Sequence, residues 1–136
     1  MSRIMGLDIG DRRIGVALSD PQGILASPIT IIEGRDKDTV INAILDVIEK
    51  NGVGRIIVGL PVSMDGNIGP QAEKVKTFTE SLRLKIGVPI EYRDERLSTV
   101  SARRLKHSGS KNNKKKLYHD AMAAAVILQS YLDESL

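Results

Sequence analysis

An α/β fold built on a mixed five-stranded sheet is what the sequence predicts. The first 34 residues alternate apolar and polar positions with period two, broken by turn residues, as an antiparallel meander of three strands does. From Asp36 the apolar spacing lengthens to that of a helix. Residues 55–60, RIIVGL, then make a short continuous apolar run of the kind buried on both faces of a sheet. Helical and extended patterns go on alternating after that run, which calls for parallel strand pairs beside the antiparallel ones.

Each element has its own signal. Residues 3–9 and 13–19 are the first two strands, with Gly10 and Asp11 supplying turn chemistry between them. ILASPITIIEG (24–34) is the third. In DKDTVINAILDVIEKNG, Val40, Ile41, Ile44, Leu45 and Ile48 fall on one helical face; Asp36 or Asp38 suits its N-cap and Gly52 the position past its end. After the strand at 55–60 comes a polar, glycine-rich loop, PVSMDGNIGPQ. Pro70 opens the next helix, whose buried side is Ala72, Val75, Phe78, Leu82 and Ile86 and which Gly87 is expected to end. VPIEYRDE is the fifth strand, placed at an edge because Pro89 has no N–H to give a ladder. Ser98 is expected to cap a short helix running to about Lys106. A basic loop then leads into a final helix over about 114–133, with Leu117, Ala121, Ala124, Leu128 and Tyr131 facing the sheet. Its alanines, at 121 and 123–125, thin it for close packing against a strand that carries glycine.

Composition narrows the function classes. At 136 residues the chain is one domain's worth, expected to bury roughly two-thirds of its unfolded surface. No apolar run approaches the ~20 residues of a membrane span, and MSRIMGLDIG lacks the apolar core of a signal peptide. Without cysteine there is neither disulfide nor thiolate metal site, and His107 and His119 are too few for a structural zinc. A cytoplasmic protein with no membrane partner is expected. Net charge is +3, but residues 103–116, RRLKHSGSKNNKKK, hold seven of the 20 Lys and Arg residues and no acid. Such a block is either a solvated face or a track for a polyanion.

The acids carry the chemistry. Strand alternation puts Ile4, Gly6, Asp8 and Gly10 on one face, so a carboxylate interrupts an otherwise apolar and small-residue surface. A buried carboxylate needs a donor, a cation or water. Asp120 sits early in the final helix, four residues before Ala124, on the side that faces the sheet; an acid complementing the helix dipole would occupy the same place. Asp94 and Glu95 fall where the fifth strand ends, the edge at which α/β sheets set their sites. Oxygen ligands converging without Cys or His favour a hard cation, Mg²⁺ or Mn²⁺, and such ions promote phosphodiester hydrolysis.

LDIGDRRIGVALSD, VGLPVSMDGNIGPQA, DERLST and HDAMAAAVILQSYL together resemble the signature blocks of the YqgF (RuvX) family, in order and across essentially the whole chain. Proteins of that family are described as Holliday junction resolvases and as pre-16S rRNA nucleases, with an RNase H-like fold. The resemblance implies that Asp8, Glu95 and Asp120 are the catalytic acids and the ligands of the Mg²⁺ or Mn²⁺. It makes Arg12 and Arg13 candidates for phosphate contact and GLPVSMDG a loop on the substrate side. RNase H-like enzymes often carry an acid at the end of the fourth strand; that place holds Gly59 and Leu60, and Glu95 takes the role, with Asp94 and Asp65 as the alternatives.

The function so implied is a metal-dependent endonuclease that processes the 5' end of precursor 16S rRNA. In it Lys114, Lys115 and Lys116 would help hold the backbone. Resolution of Holliday junctions in DNA recombination is the nearest variant and would need a two-fold dimer; a monomer or weak homodimer is expected. A non-catalytic nucleic-acid binder is a further alternative, against which three acids stand. Phosphotransfer from ATP would require a second domain that 136 residues leave no material for.

Overall fold

A computed structural model describes residues 2–98 and 115–135, the side chains of residues 98 and 115–120 excepted. Strands β1 (Arg3–Ile9), β2 (Arg13–Ser19) and β3 (Ala26–Glu33) precede helix α1 (Lys37–Asn51), strand β4 (Val53–Leu60) and helix α2 (Pro70–Arg83). Strand β5 (Ile90–Asp94), a 3-10 turn (Glu95–Ser98) and helix α3 (Lys115–Ser135) follow. The strands lie in the order β3-β2-β1-β4-β5. β1, β2 and β3 pair antiparallel, whereas β4 runs parallel to both β1 and β5. This is the mixed five-stranded α/β sheet expected, with β5 at an edge.

Alternation along the strands sorts side chains into two cores. Met5, Leu7, Ile14, Val16, Ile56 and Val58 face α1 and α2, where they meet Val40, Ile41, Ile44, Val75 and Leu82. On the other face, Ala17 and Ile57 meet Ala124, Ala125, Ile127, Leu128 and Leu132 of α3. Small residues on the strands let this helix come very near: a Cβ built on Gly6 would stand 2.8 Å from both the Ala124 carbonyl oxygen and Leu128 Cβ. Leu128 is fully buried, so its truncation to alanine costs about 2–5 kcal/mol.

Helix ends follow their caps. Asp36 accepts the Thr39 amide at 3.2 Å, and Gly52 closes α1 in the left-handed region with φ 62°. α2 stops at Arg83, before Gly87, which was expected to end it. Pro89 disfavours a helical conformation at Val88, and the chain leaves the helix early, with Ile86 and Val88 packed against the core. β3 begins two residues later than its apolar pattern indicates. Asp20 takes the amides of Ile24 and Leu25 (2.7 and 2.9 Å), and buried Gln129 of α3 accepts from the Ala26 amide while donating to the Ile24 carbonyl, both at 2.9 Å. β4 begins at Val53 because its parallel register with β1 starts there. The short helix expected over 98–106 lies outside the described residues beyond Ser98.

Candidate active site

Asp8 lies near the C-terminal end of β1, on the face that carries α3. Its partner across the antiparallel ladder is Gly15. On the other side, the parallel register pairs Leu7 with Val58, so Gly59 is the next residue of β4 along the same row. Asp8 therefore stands between two strands that offer it no neighbouring side chain. Gly59 is occupied from above: a Cβ there would lie 3.0 Å from Glu95 Oε1 and 2.3 Å from Ile127 Cδ1. Glu95 comes from the 3-10 turn just past β5, and its carboxyl bends back over Gly59 to hydrogen-bond with Asp8.

The electrostatics of the pair follow from that packing. Burial pushes the Glu95 carboxyl up to about 7; the Asp8 charge adds to this, then their hydrogen bond, then the Asp94 charge. Below about pH 7 Glu95 therefore keeps a proton that its hydrogen bond to Asp8 can use. Two acids that must share a proton fit a hard divalent cation, which takes carboxylate oxygens and removes the repulsion. Among the described residues no group of three or more His, Asp or Glu is placed to hold a metal. Asp120 lies on α3 one turn before Ala124, the residue whose carbonyl meets Gly6; its side chain lies outside the described residues.

A polar chain holds the Glu95 turn against α3. Arg93 of β5 donates from Nε to Ser130 Oγ at 2.9 Å, and Ser130 Oγ donates to the Leu97 carbonyl at 3.0 Å. Arg93 also pairs with Glu134 at 2.9 Å. Arg96 grips Asp94 through two nitrogens and reaches the Met64 carbonyl at 3.3 Å, tying the turn to the loop after β4. Both alternatives to Glu95 are thus committed elsewhere. The Arg96 guanidinium holds Asp94 below the usual carboxylate range. Asp65 is held low by Ser63 and by Asn67, whose amide and side chain both donate to it, within its own loop.

The basic residues divide between two regions. Arg12 and Arg13 follow the β1–β2 turn at the same sheet end as Asp8, and with Glu33, Gly34 and Arg35 they line an open cavity of about 370 Å³. Arg13 and Glu33 sit opposite each other, 3.6 Å apart. Lys114 lies outside the described residues; Lys115 and Lys116 open α3, with side chains outside them.

Four residues of this site escape sequence reasoning: Gly59, Arg93, Ser130 and Arg35. Ser130 had a weak signal, a hydroxyl on the sheet-facing side of an alanine-rich helix. Gly59 had another, the missing fourth-strand acid. Arg93 and Arg35 had none, since each reads as an ordinary surface charge.

Residues 2–134 match the family model described as RuvX: Holliday junction resolvase. Among curated relatives, a protein of Desulforamulus reducens is 48% identical over 132 residues, covering 96% of each chain. One of Dehalococcoides mccartyi is 49% identical over 127 residues, covering 93% of this chain and 95% of its own. Both are provisionally named pre-16S rRNA nucleases. Among solved structures, Thermus thermophilus RuvC in complex with Holliday junction substrate superposes with a TM-score of 0.63 at 12% identity, over 99% of this chain and 96% of that one. The fowlpox virus Holliday junction resolvase gives 0.58 at 13%, over 98% and 99%. The architecture is that of the RuvC-like RNase H fold.

Proposed function

The chain belongs to the RuvX family, and from that premise we propose that it is a metal-dependent endonuclease acting on precursor 16S rRNA. The observation that carries this reading is the hydrogen-bonded Asp8–Glu95 pair. Two acids from distant segments are pressed together at the C-terminal edge of the parallel strands, where repulsion disfavours them unless a cation or a proton intervenes. Names of relatives support the RNA substrate; the description of the family supports branched DNA as the second reading.

Asp8, Glu95 and Asp120 would hold Mg²⁺ or Mn²⁺. Such an ion, when bound, lowers the pKa of water and neutralises charge on a phosphate under attack. The chain's own groups do the rest. Gly15 and Gly59 leave Asp8 clear of neighbouring side chains on both ladders. Arg93 and Ser130 fix the turn from which Glu95 reaches Asp8. Below about pH 7 a proton on Glu95 keeps the pair from repelling, and a bound cation would take over that task. Arg12 and Arg13 draw the backbone phosphates to the edge of the sheet, and Lys114, Lys115 and Lys116 add positive charge before α3.

A paired assay tests this: wild type and Asp8→Asn, each offered precursor rRNA and a four-way DNA junction with Mg²⁺ or Mn²⁺. The expected result is metal-dependent cleavage of the RNA by wild type, lost by at least about 100-fold in the variant, with binding retained. Cleavage of the junction alone would move the assignment to resolution, and cleavage of neither would end the nuclease reading.

A further inference from the structure

The cavity lined by Arg12, Arg13, Glu33, Gly34 and Arg35 lies on the β3 side of Asp8, the side away from Glu95. We propose that it is a second phosphate seat, completed by Arg35, so that the nucleic-acid strand leaves the acid pair across β2 towards β3. The proposal rests on the nucleic-acid reading above and gives that substrate a direction.

Three arginines and one glutamate line this cavity. Gly34 donates its amide to the Arg12 carbonyl at 3.3 Å, which ties the β1–β2 turn to the end of β3 and keeps Arg12 and Arg35 on neighbouring segments. Asp36, the acid next to Arg35, is already engaged: it accepts from the Thr39 amide at 3.2 Å and from Thr39 Oγ1 at 2.6 Å. Glu33 is bound to Arg13 at 3.6 Å with both side chains largely exposed, an ion pair of little strength. A phosphate, able to take two parallel N–H bonds from one guanidinium, competes well for that arginine.

Position supports the seat as well. Arg13 shares a strand face with Gly15, which pairs with Asp8. Strand geometry sets its Cα about 8 Å from that of Asp8, two residues along and one strand across. Arg35 lies one strand further on, past the end of β3. A strand held by the acids and by this cavity would span a few nucleotides.

Anisotropy of the full chain with a labelled single strand of about 12 nucleotides, as RNA and as DNA, in EDTA and across a salt series, tests the seat. Arg35→Ala should weaken binding about 3- to 10-fold near 0.1 M salt and reduce the slope of log K against log salt by about 1. Arg35→Lys should keep the slope. Glu33→Gln should tighten binding. Lys50→Ala, at the far end of α1 in an i,i+4 pair with Asp46, should match wild type. A slope unchanged by Arg35→Ala overturns the seat while leaving the nuclease reading, which cleavage tests, in place. A wild type that binds neither strand likewise overturns the seat, and the nuclease reading stands or falls on the cleavage assay alone.

Discussion

Glu95 lies over Gly59, its Oε1 only 3.0 Å from where a Cβ on that glycine would be. This contact moves an acid from one strand to the neighbourhood of another. The end of β4 has no side chain of its own on this face, and the turn after β5 delivers a carboxyl into the space so left. The glutamate reaches Asp8 because nothing larger than hydrogen stands between β4 and α3 at that point.

Gly59→Ala should therefore damage the site twice over. Its methyl would meet Ile127 Cδ1 at 2.3 Å as well as the Glu95 carboxyl, an overpacking that costs about 1–3 kcal/mol. Adding Ile127→Val removes the clashing methyl and should recover much of the melting temperature. Cleavage should stay low in the double variant, since the Glu95 contact persists. Full recovery of activity together with stability would mean that Glu95 does not depend on the gap.

Stability of the metal-free protein should fall as pH rises from about 5 to about 8. The folded protein holds Glu95 at about 7 against 4.5 ordinarily, so between those values it keeps a proton that the unfolded chain releases. That stabilisation is complete below about pH 4.5 and is lost as pH climbs through 7. For a half-buried carboxyl the effect is about 1 kcal/mol once solvent screening is allowed for. Asp20, Asp36 and Asp94, held low by their hydrogen bonds, act in the opposite direction but at more acid pH. Thermal melts of wild type and Glu95→Gln across this range decide the matter: the variant should be flat where wild type declines, and Mn²⁺ should lift the wild-type curve at pH 8. Parallel curves would remove Glu95 as the cause.

Ser130 is expected to matter for activity without touching substrate. Its hydroxyl links Arg93 to the Leu97 carbonyl, and Ser130→Ala would remove both bonds, leaving Arg93 its pair with Glu134, at a cost of about 1–2 kcal/mol. If it positions the Glu95 turn, kcat should drop with KM little changed, and the fall in stability with pH described above should shrink as Glu95 moves off Asp8. A normal pH profile with a simple loss of stability would leave Ser130 a packing residue.

Replacing Lys114, Lys115 and Lys116 together by alanine should flatten the salt dependence of nucleic-acid binding by about 2–3 units of slope. An unchanged slope would return that run to ordinary surface charge.

Much of the scaffold was legible in the sequence because its signals are local. The 3.6-residue spacing from Val40 to Ile48 and the caps Asp36 and Gly52 specify α1 with no help from the rest of the chain. Alternation in β1 and β2 sets Asp8 among small residues, and the observed register pairs it with Gly15. Where local signals competed, tertiary contacts decided: Gly87 marks a helix end by composition, yet α2 stops at Arg83 ahead of Pro89.

The candidate site was legible as residue types and not as geometry. Asp8 and Glu95 could be named from their blocks, but their hydrogen bond joins positions 87 residues apart and depends on the parallel register of β4 and on the packing of Ile127. By itself the sequence determined which segments become strands and helices and which acids lie at their ends, because periodicity and capping act over a few neighbouring residues. The tertiary structure alone decided that Glu95 crosses Gly59 to meet Asp8, whereas Asp94 keeps a partner two residues away in Arg96. The Glu95 contact depends on which distant side chains leave room, and such information exists only once the sheet has assembled.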